Sequence, residues 1–211
     1  MAQEIELKLA VPDDAIAALT AWLDAHARAH GERELRNVYL DTPEHDLARA
    51  RAALRLRRQG AQWLQTLKTA GRSECGLAAR HEWEVPVAGE VLEPDAFPEE
   101  ARAVVAPLAA RLAPVFRTDF RRRTWTIEQD GAQVEAALDL GTITAPGSEA
   151  RHVIQELELE WLSGEAALAG PTLLALARRL RSIAPLTPSD LSKAARGYQL
   201  AGAGQRADGA A

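Results

Sequence analysis

The 211-residue chain is long enough for one large domain or two small ones, and its 47% hydrophobic and 26% charged residues are typical of a globular protein. A net charge of −5 argues against a general nucleic-acid binder, and the single cysteine, Cys75, excludes an internal disulfide. No apolar run approaches the roughly 18 residues of a membrane span. We therefore expect a cytoplasmic protein that binds neither membranes nor nucleic acids.

Alternation of charged and apolar residues predicts β-strands along much of the chain. In the first strand Glu4, Glu6 and Lys8 share one face, and apolar residues occupy the other. The turn signals Gln59-Gly60 and Asp130-Gly131 each predict a hairpin. The eight predicted strands are 3–9, 35–40, 53–58, 62–68, 80–87, 118–129, 133–140 and 153–162.

Helical spacing of apolar residues predicts helices between and after these strands. The predicted helical segments are 12–29, a short piece at 47–50, a proline-interrupted stretch at 94–114, then 165–182 and 189–200. Residues 69–73 are predicted to form a loop. The strands fall into two groups around the helical middle, which suggests two half-sheets that close together within one domain, 1–200. The small, polar residues 201–211 predict a disordered tail.

The polar faces of the predicted strands are almost entirely charged, and the signs are grouped. The faces that carry Glu4, Glu82 and Glu156 are acidic, and those that carry Arg55 and Arg122 are basic. For any single strand we would favour a face turned towards water, because solvated charges also protect sheet edges from aggregation. The sequence alone leaves that interpretation open.

The number of predicted helices favours charged faces that turn inward. If the helices cover the apolar faces, the charged faces meet inside a closed barrel, and eight strands leave room for side chains or one small ligand. Buried charges need compensation. A polyanion together with divalent cations would satisfy both signs, because arginine and lysine bind phosphate oxygens and glutamate binds the metal.

The facing of the strand 118–129 is ambiguous. If Trp125 packs against the outer helices, Arg122 points inward and its neighbours Arg121 and Arg123 do not. Phe120 breaks the alternation, which suggests a β-bulge. We expect Arg122 to face the interior.

The segment EIELK at 4–8 resembles the ExExK signature of the CYTH superfamily, the triphosphate tunnel metalloenzymes. The order and context of further motifs make the resemblance specific, and it spans nearly the whole chain. These motifs are YLDTP at 39–43, LRLRR at 54–58, LKT at 67–69, EWE at 82–84, TDF at 118–120, ALDLG at 137–141, ELELE at 156–160 and LSK at 191–193.

The resemblance implies an α+β fold, an eight-stranded antiparallel β-barrel with helices packed outside. The chain is most similar to the bacterial inorganic triphosphatase branch, some members of which carry a second, helical, histidine-rich domain. The implied activity is hydrolysis of inorganic triphosphate to diphosphate and phosphate, with Mg²⁺ or Mn²⁺ as the cofactor. The implied partner is a small-molecule triphosphate, and we expect a monomer or a homodimer.

The resemblance also implies roles for individual residues. The implied metal ligands are Glu4, Glu6, Glu156, Glu158 and Glu160. The implied substrate-binding residues are Lys8, Arg55, Arg57, Lys68, Arg122 and Lys193. The implied catalytic residues are Glu6, Lys8 and Glu158. Further residues, Glu82, Glu84 and Asp139, would line the tunnel.

Two other classes of function remain open. The same scaffold could act as a class IV adenylate cyclase or as a thiamine or nucleoside triphosphatase, which would need an aromatic slot for the organic group. Aromatic residues make up only 5% of the chain, and of its tryptophans only Trp63 does not read as an outer-core position. A non-enzymatic polyphosphate sensor is disfavoured, because anion binding alone needs the basic residues but not the acidic ones.

Overall fold

The computed structural model describes the backbone of residues 2–69 and 71–208 and the side chains of residues 4–69 and 71–202. The strands are β1 (Ala2–Ala10), β2 (Arg28–Asp41), β3 (Ala53–Gln59), β4 (Gln62–Lys68), β5 (Arg72–Glu74), β6 (Leu77–Val87), β7 (Ala113–Gln129), β8 (Ala132–Thr144), β9 (His152–Ser163) and β10 (Thr187–Pro188). The α-helices are α1 (Ile16–His26), α2 (Asp46–Arg49), α3 (Glu99–Val105), α4 (Ala169–Arg181) and α5 (Lys193–Asp208).

Eight of the strands close into a barrel in the order β1-β9-β8-β7-β2-β3-β4-β6, and pairing of β6 with β1 completes the ring. Every neighbouring pair is antiparallel. The short strands β5 and β10 add to β6 and β1 outside the ring. The predicted α+β fold, an eight-stranded antiparallel barrel with helices outside, is therefore confirmed.

The first helix is shorter than the sequence predicts. Helix α1 ends at His26, and β2 begins at Arg28 and pairs with β7 from there onwards. Residues 28–34 are exposed on both faces of the strand, and their sequence lacks the alternation of a half-buried strand. Its strand conformation comes from the backbone hydrogen bonds of β7.

The predicted helical stretch 94–114 is broken into short pieces. A 3₁₀ turn (Pro94–Ala96) precedes α3, a second 3₁₀ segment (Ala106–Arg111) follows it, and β7 begins at Ala113. Pro98 and Pro107 lie at these boundaries, because proline has no N–H to donate within a helix. Residues 72 and 73, which belong to the predicted loop 69–73, are part of β5.

Two apolar clusters lie between the barrel and the outer helices. One joins β1, β7, β8 and β9 to α1 and α4, with the fully buried Trp125 and Leu19 among its members. The other joins β2, β3 and β4 to α2 and α3 around Leu54, Leu67 and Val105. These contacts bury the apolar strand faces outward, so the charged faces turn into the barrel as predicted.

A third apolar cluster connects inward-facing residues of β2 and β7 with α5. Tyr39 stacks on Phe116 with 4.4 Å between ring centroids, and Tyr198 of α5 meets Phe116 edge-on at 5.1 Å. A Cβ atom at Gly197 would lie 2.2 Å from the Phe116 ring, so only glycine permits this approach. Helix α5 thus packs into one end of the barrel.

Phe120 belongs to this third cluster, and the bulge expected next to it is absent. The pairing of β7 with β2 runs without a register shift from Phe116 to Arg123. Phe120 and Arg122 therefore share the inward face, with the apolar residue beneath α5 and the charged residue in the open tunnel. The alternation is unbroken because this end of the barrel interior is apolar.

Helix α5 ends at Asp208, and the last three residues of the predicted tail, 209–211, lie outside the described residues. Among the helices that the structure describes, none combines the length and the apolar character of a membrane span.

Asp41, at the end of β2, connects three elements through one buried carboxylate. Its oxygens accept hydrogen bonds from the backbone N–H groups of Thr42, Leu47 and Ala48 at 2.8, 2.9 and 3.0 Å. The hydroxyl of Tyr198 donates to the same carboxylate at 2.8 Å. With only 1% of the residue exposed, Asp41 fixes α2 and α5 to the barrel.

We expect Asp41→Ala to lower the free energy of unfolding by about 3 kcal/mol, because it leaves buried donors without an acceptor. Urea denaturation followed by circular dichroism measures the change. The matched control is Glu44→Ala, three residues away and exposed, which should change stability by less than about 0.5 kcal/mol. Equal stabilities of the two variants would contradict the connecting role of Asp41.

Candidate active site

The barrel encloses a tunnel with a volume of about 1090 Å³. Eight glutamates and nine lysine or arginine residues are among the described side chains that line it. All the implied metal, substrate-binding and catalytic residues border this space except Glu156, which is only 3% exposed and lies behind Lys193 and Arg196. The expectation that Asp139 lines the tunnel is wrong, because Asp139 is fully buried and does not border the space. The inward charge inferred from strand alternation is therefore present in the folded chain.

One group of acids lies at the start of β1. Glu4 accepts from Lys68 Nζ at 2.8 Å and from Arg80 Nε at 2.9 Å, and Arg80 also contacts Glu6. Lys68 also bonds Glu82 of β6, at 2.8 Å. Burial opposes ionisation of Glu4, but the cations of Lys68 and Arg80 outweigh it and lower the pKa of Glu4 to about 2.

A second group of acids, which we call the acid cluster, consists of Asp139 on β8 and Glu156 and Glu158 on β9. Their carboxylate oxygens lie within 4.8 Å of one another. Arg122 donates a bidentate pair of hydrogen bonds to the two oxygens of Asp139, both at 2.7 Å, and also donates to Glu158. Lys193 contacts all three carboxylates.

Between these groups runs a row of carboxylates with few partners. Strand register places Glu6 opposite Glu160, and Glu160 opposite Glu135. Burial and the neighbouring Glu4 carboxylate raise the pKa of Glu160 to about 7. Burial and the nearby Glu158 carboxylate also raise the pKa of Glu6. Glu6 contacts Arg80, but no cation of the described residues pairs with Glu135 or Glu160, which is the situation that a bound cation relieves.

The opposite wall is basic. Arg55 and Arg57 of β3 are 9% and 8% exposed, and their nearest carboxylate oxygens, on Glu82 and Glu84, lie 3.6 to 3.9 Å away. Burial, together with the neighbouring Arg55 and Arg122, lowers the pKa of Arg57 to about 9. Lys8 is 5% exposed, and no carboxylate of the described residues lies within ion-pair distance of its ammonium.

Asn37 on β2 orients the guanidinium of Arg57. It is fully buried, accepts from Arg57 Nε at 2.8 Å, and donates to the carbonyl and hydroxyl of Thr118 at 3.1 and 2.9 Å. These contacts hold one edge of the guanidinium against the wall and leave its two terminal nitrogens for the tunnel. The sequence analysis missed Asn37, because a lone amide among apolar residues carries no periodic signal.

Other tunnel residues had a signal in the sequence. Arg80 shares a face of β6 with Glu82 and Glu84, so alternation alone placed it inside the barrel. Of the three consecutive arginines, Arg122 is the one that faces the interior, as expected. Its side chain is 11% exposed, against 60% for Arg121 and 34% for Arg123.

The tryptophan assignments need correction. Trp83 and Trp161 pack against the outer clusters, as expected, but they also border the tunnel. Trp63 packs against the outer cluster around Leu54 and is not among the lining residues. Side chains alternate between the two faces of a strand, so Trp63 lies on the face of β4 opposite to the inward-facing Thr66 and Lys68.

The donor sets fit a hard divalent cation. Clustered carboxylate oxygens are the ligands that Mg²⁺ and Mn²⁺ prefer, and both the acid cluster and the row around Glu160 supply only oxygen. Asp139, which the sequence analysis placed only in the tunnel lining, is part of the most compact set.

The comparison with protein families matches the CYTH domain to residues 2–198. The inorganic triphosphatase of Haemophilus influenzae is 33% identical over 201 residues, which is 95% of this chain. The chain spans 55% of the length of that protein.

Solved structures share the fold. A protein of Pyrococcus horikoshii OT3 aligns with a TM-score of 0.63 at 18% identity, covering 93% of this chain and 98% of the other. A putative adenylyl cyclase from Hippeastrum, described as having a dominant triphosphatase activity, aligns with a TM-score of 0.59 at 20% identity, covering 93% and 95%. Because the family match covers nearly all residues and the motifs line one charged tunnel, the chain belongs to the CYTH family.

Proposed function

We propose that this chain hydrolyses inorganic triphosphate to diphosphate and phosphate, with Mg²⁺ or Mn²⁺ bound in the tunnel. The related triphosphatase of Haemophilus influenzae supports the reaction class. The charged tunnel supports a short, highly charged anion rather than a neutral ligand.

The observation that carries the proposal is the set of buried cations without close acidic partners. Lys8, Arg55 and Arg57 are each at most 9% exposed, and none has a carboxylate oxygen nearer than 3.6 Å among the described residues. Of the three, only Lys8 has no ion pair among the described residues, whereas Arg55 and Arg57 form long ion pairs with Glu82 and Glu84. Buried cations that are weakly compensated are costly, and a chain of phosphate groups would give all three close acceptors.

The proposed roles of the lining residues follow this separation of charge. Phosphate oxygens would be bound by Lys8, Arg55, Arg57, Lys68, Arg122 and Lys193. The metal would be held by Glu4, Glu6, Glu156, Glu158 and Glu160, with Asp139 as an additional ligand. A divalent cation bound there would supply charge neutralisation and an activated water.

Hydrolysis of a phosphoanhydride requires no covalent bond between the substrate and the protein. Water attacks the terminal phosphorus, the bridging P–O bond breaks, and the diphosphate leaves with the bond electrons. Cations fixed before the reaction stabilise the charge that develops on the phosphate oxygens. We propose that Lys8 supplies this stabilisation and that Glu6 and Glu158 position the metal and the water.

The first test is a substrate panel. With Mg²⁺ or Mn²⁺, tripolyphosphate should release phosphate at least about tenfold faster than ATP or thiamine triphosphate, and EDTA should abolish the release. Trp83 and Trp161 at the tunnel border give an organic group a surface to contact, so the panel separates the alternatives. Formation of cyclic AMP would indicate a cyclase, and absence of any metal-dependent turnover would contradict an enzymatic role.

The second test compares the two faces of β3. Arg57→Ala should reduce kcat/KM for triphosphate by about 100-fold, because it removes a fixed cation from the phosphate site. Lys8→Ala should cause a loss of similar size. The matched control is Arg58→Ala, next in sequence but exposed on the outer face, for which we expect less than a twofold change. Equal effects of Arg57→Ala and Arg58→Ala would contradict a phosphate site inside the barrel.

A third test addresses the orientation of Arg57. Asn37→Ala removes the acceptor for Arg57 Nε, so KM for triphosphate should rise about five- to tenfold while circular dichroism shows an unchanged fold. The double variant with Arg57→Ala should add no further loss, because both changes affect the same contact. Additive losses in the double variant would mean that Asn37 acts independently of Arg57.

A further inference from the structure

The ammonium of Lys193 lies in the middle of the acid cluster. Its Nζ atom is 2.6 Å from Asp139 Oδ2 and 2.9 Å from Glu158 Oε1, and it also contacts Glu156. The residue is 7% exposed. The ammonium donates hydrogen bonds to Glu156 and Glu158 and forms an ion pair with Asp139.

The charges in this part of the tunnel balance. Arg122 contacts Asp139 and Glu158, and Arg196 contacts Glu156. Three cations therefore face three carboxylates, and the side chains of all six are at most 17% exposed. A divalent cation added to this closed set would need the same carboxylate oxygens, at the 2.0 to 2.6 Å spacing typical of such ions.

Of the three cations, Lys193 is the one suited to move. Arg122 is held by two parallel hydrogen bonds to Asp139, and Arg196 also donates to the carbonyl of Val153 at 2.9 Å. Lys193 is a compact charge on a flexible stem, borders the open tunnel, and has the Phe120 ring 5.1 Å from its ammonium.

We propose that Lys193 is a built-in counter-ion that exchanges with the divalent cation, so that metal binding releases its ammonium into the tunnel. This inference rests on the proposed function. The same side chain then has two successive partners, the acid cluster and the phosphate chain. Binding of metal and binding of triphosphate would be positively coupled, because each favours the same position of Lys193.

The direct test measures Mn²⁺ binding by isothermal titration calorimetry, without any substrate. Lys193→Gln removes the competitor, so the Kd for Mn²⁺ should fall about tenfold relative to the unmodified chain. The control is Arg58→Gln, which removes one positive charge from the exposed outer face of β3. Unchanged or weaker binding in Lys193→Gln would overturn the proposal, and so would equally tighter binding in Arg58→Gln.

A second measurement uses the unmodified chain and decides the question if Lys193→Gln does not fold. The sequence contains only three lysines, Lys8, Lys68 and Lys193, so an amine-reactive reagent and mass spectrometry report on each separately. Mn²⁺ should increase the labelling rate of Lys193 several-fold and leave Lys8, which has no carboxylate within ion-pair distance among the described residues, unchanged. Labelling of Lys193 that stays constant or falls at saturating Mn²⁺ would overturn the exchange.

Both measurements are independent of catalysis. A chain that hydrolyses no triphosphate but binds Mn²⁺ more tightly as Lys193→Gln would retain the exchange and lose the proposed function. A chain that hydrolyses triphosphate, but whose Mn²⁺ affinity Lys193→Gln does not change, would retain the proposed function and lose the exchange.

Discussion

Charge buried inside a closed barrel is the constraint on which this structure depends. A single uncompensated ion in a protein interior costs several kcal/mol, so the buried charged side chains around one tunnel require a dense set of ion pairs. Lys68 and Arg80 serve this purpose for Glu4, and Arg122 serves it for Asp139. The outer helices determine which way the strands face, because they cover the apolar strand faces and leave the charged faces to point inward.

Helix α5 links the fold to the site. Its apolar residues pack beneath Tyr39 and Phe116, and Tyr198 donates to the buried carboxylate of Asp41. The same helix begins with Lys193 and places it among three carboxylates. The position of this first turn therefore determines where the Lys193 ammonium lies relative to the three carboxylates. The packing of the later turns keeps the helix attached to the barrel.

Strand alternation, together with the number of predicted helices, favoured the barrel and most of its inward residues, including Arg122 among three consecutive arginines. It failed where alternation does not apply. The extension of β2 is exposed on both faces, and Asn37 is a single amide whose partner Arg57 lies twenty residues away. The acid cluster was also only partly foreseen, because Lys193 meets Glu156 and Glu158 across more than thirty residues of sequence, and pairing of that range depends on the closed fold.

The balance of charge in the tunnel bears on how a polyanion enters it. Eight carboxylates face nine cations among the described lining residues, so the interior is close to neutral although single positions are strongly charged. A triphosphate carries several negative charges, and a nearly neutral cavity cannot take them up without additional cations. Under the proposed function, a divalent cation bound at the acidic wall would offset that excess and free basic groups such as Lys193 for phosphate. The proposed metal dependence would then have an electrostatic basis in the charge balance of the barrel, in addition to the chemistry of the reacting water.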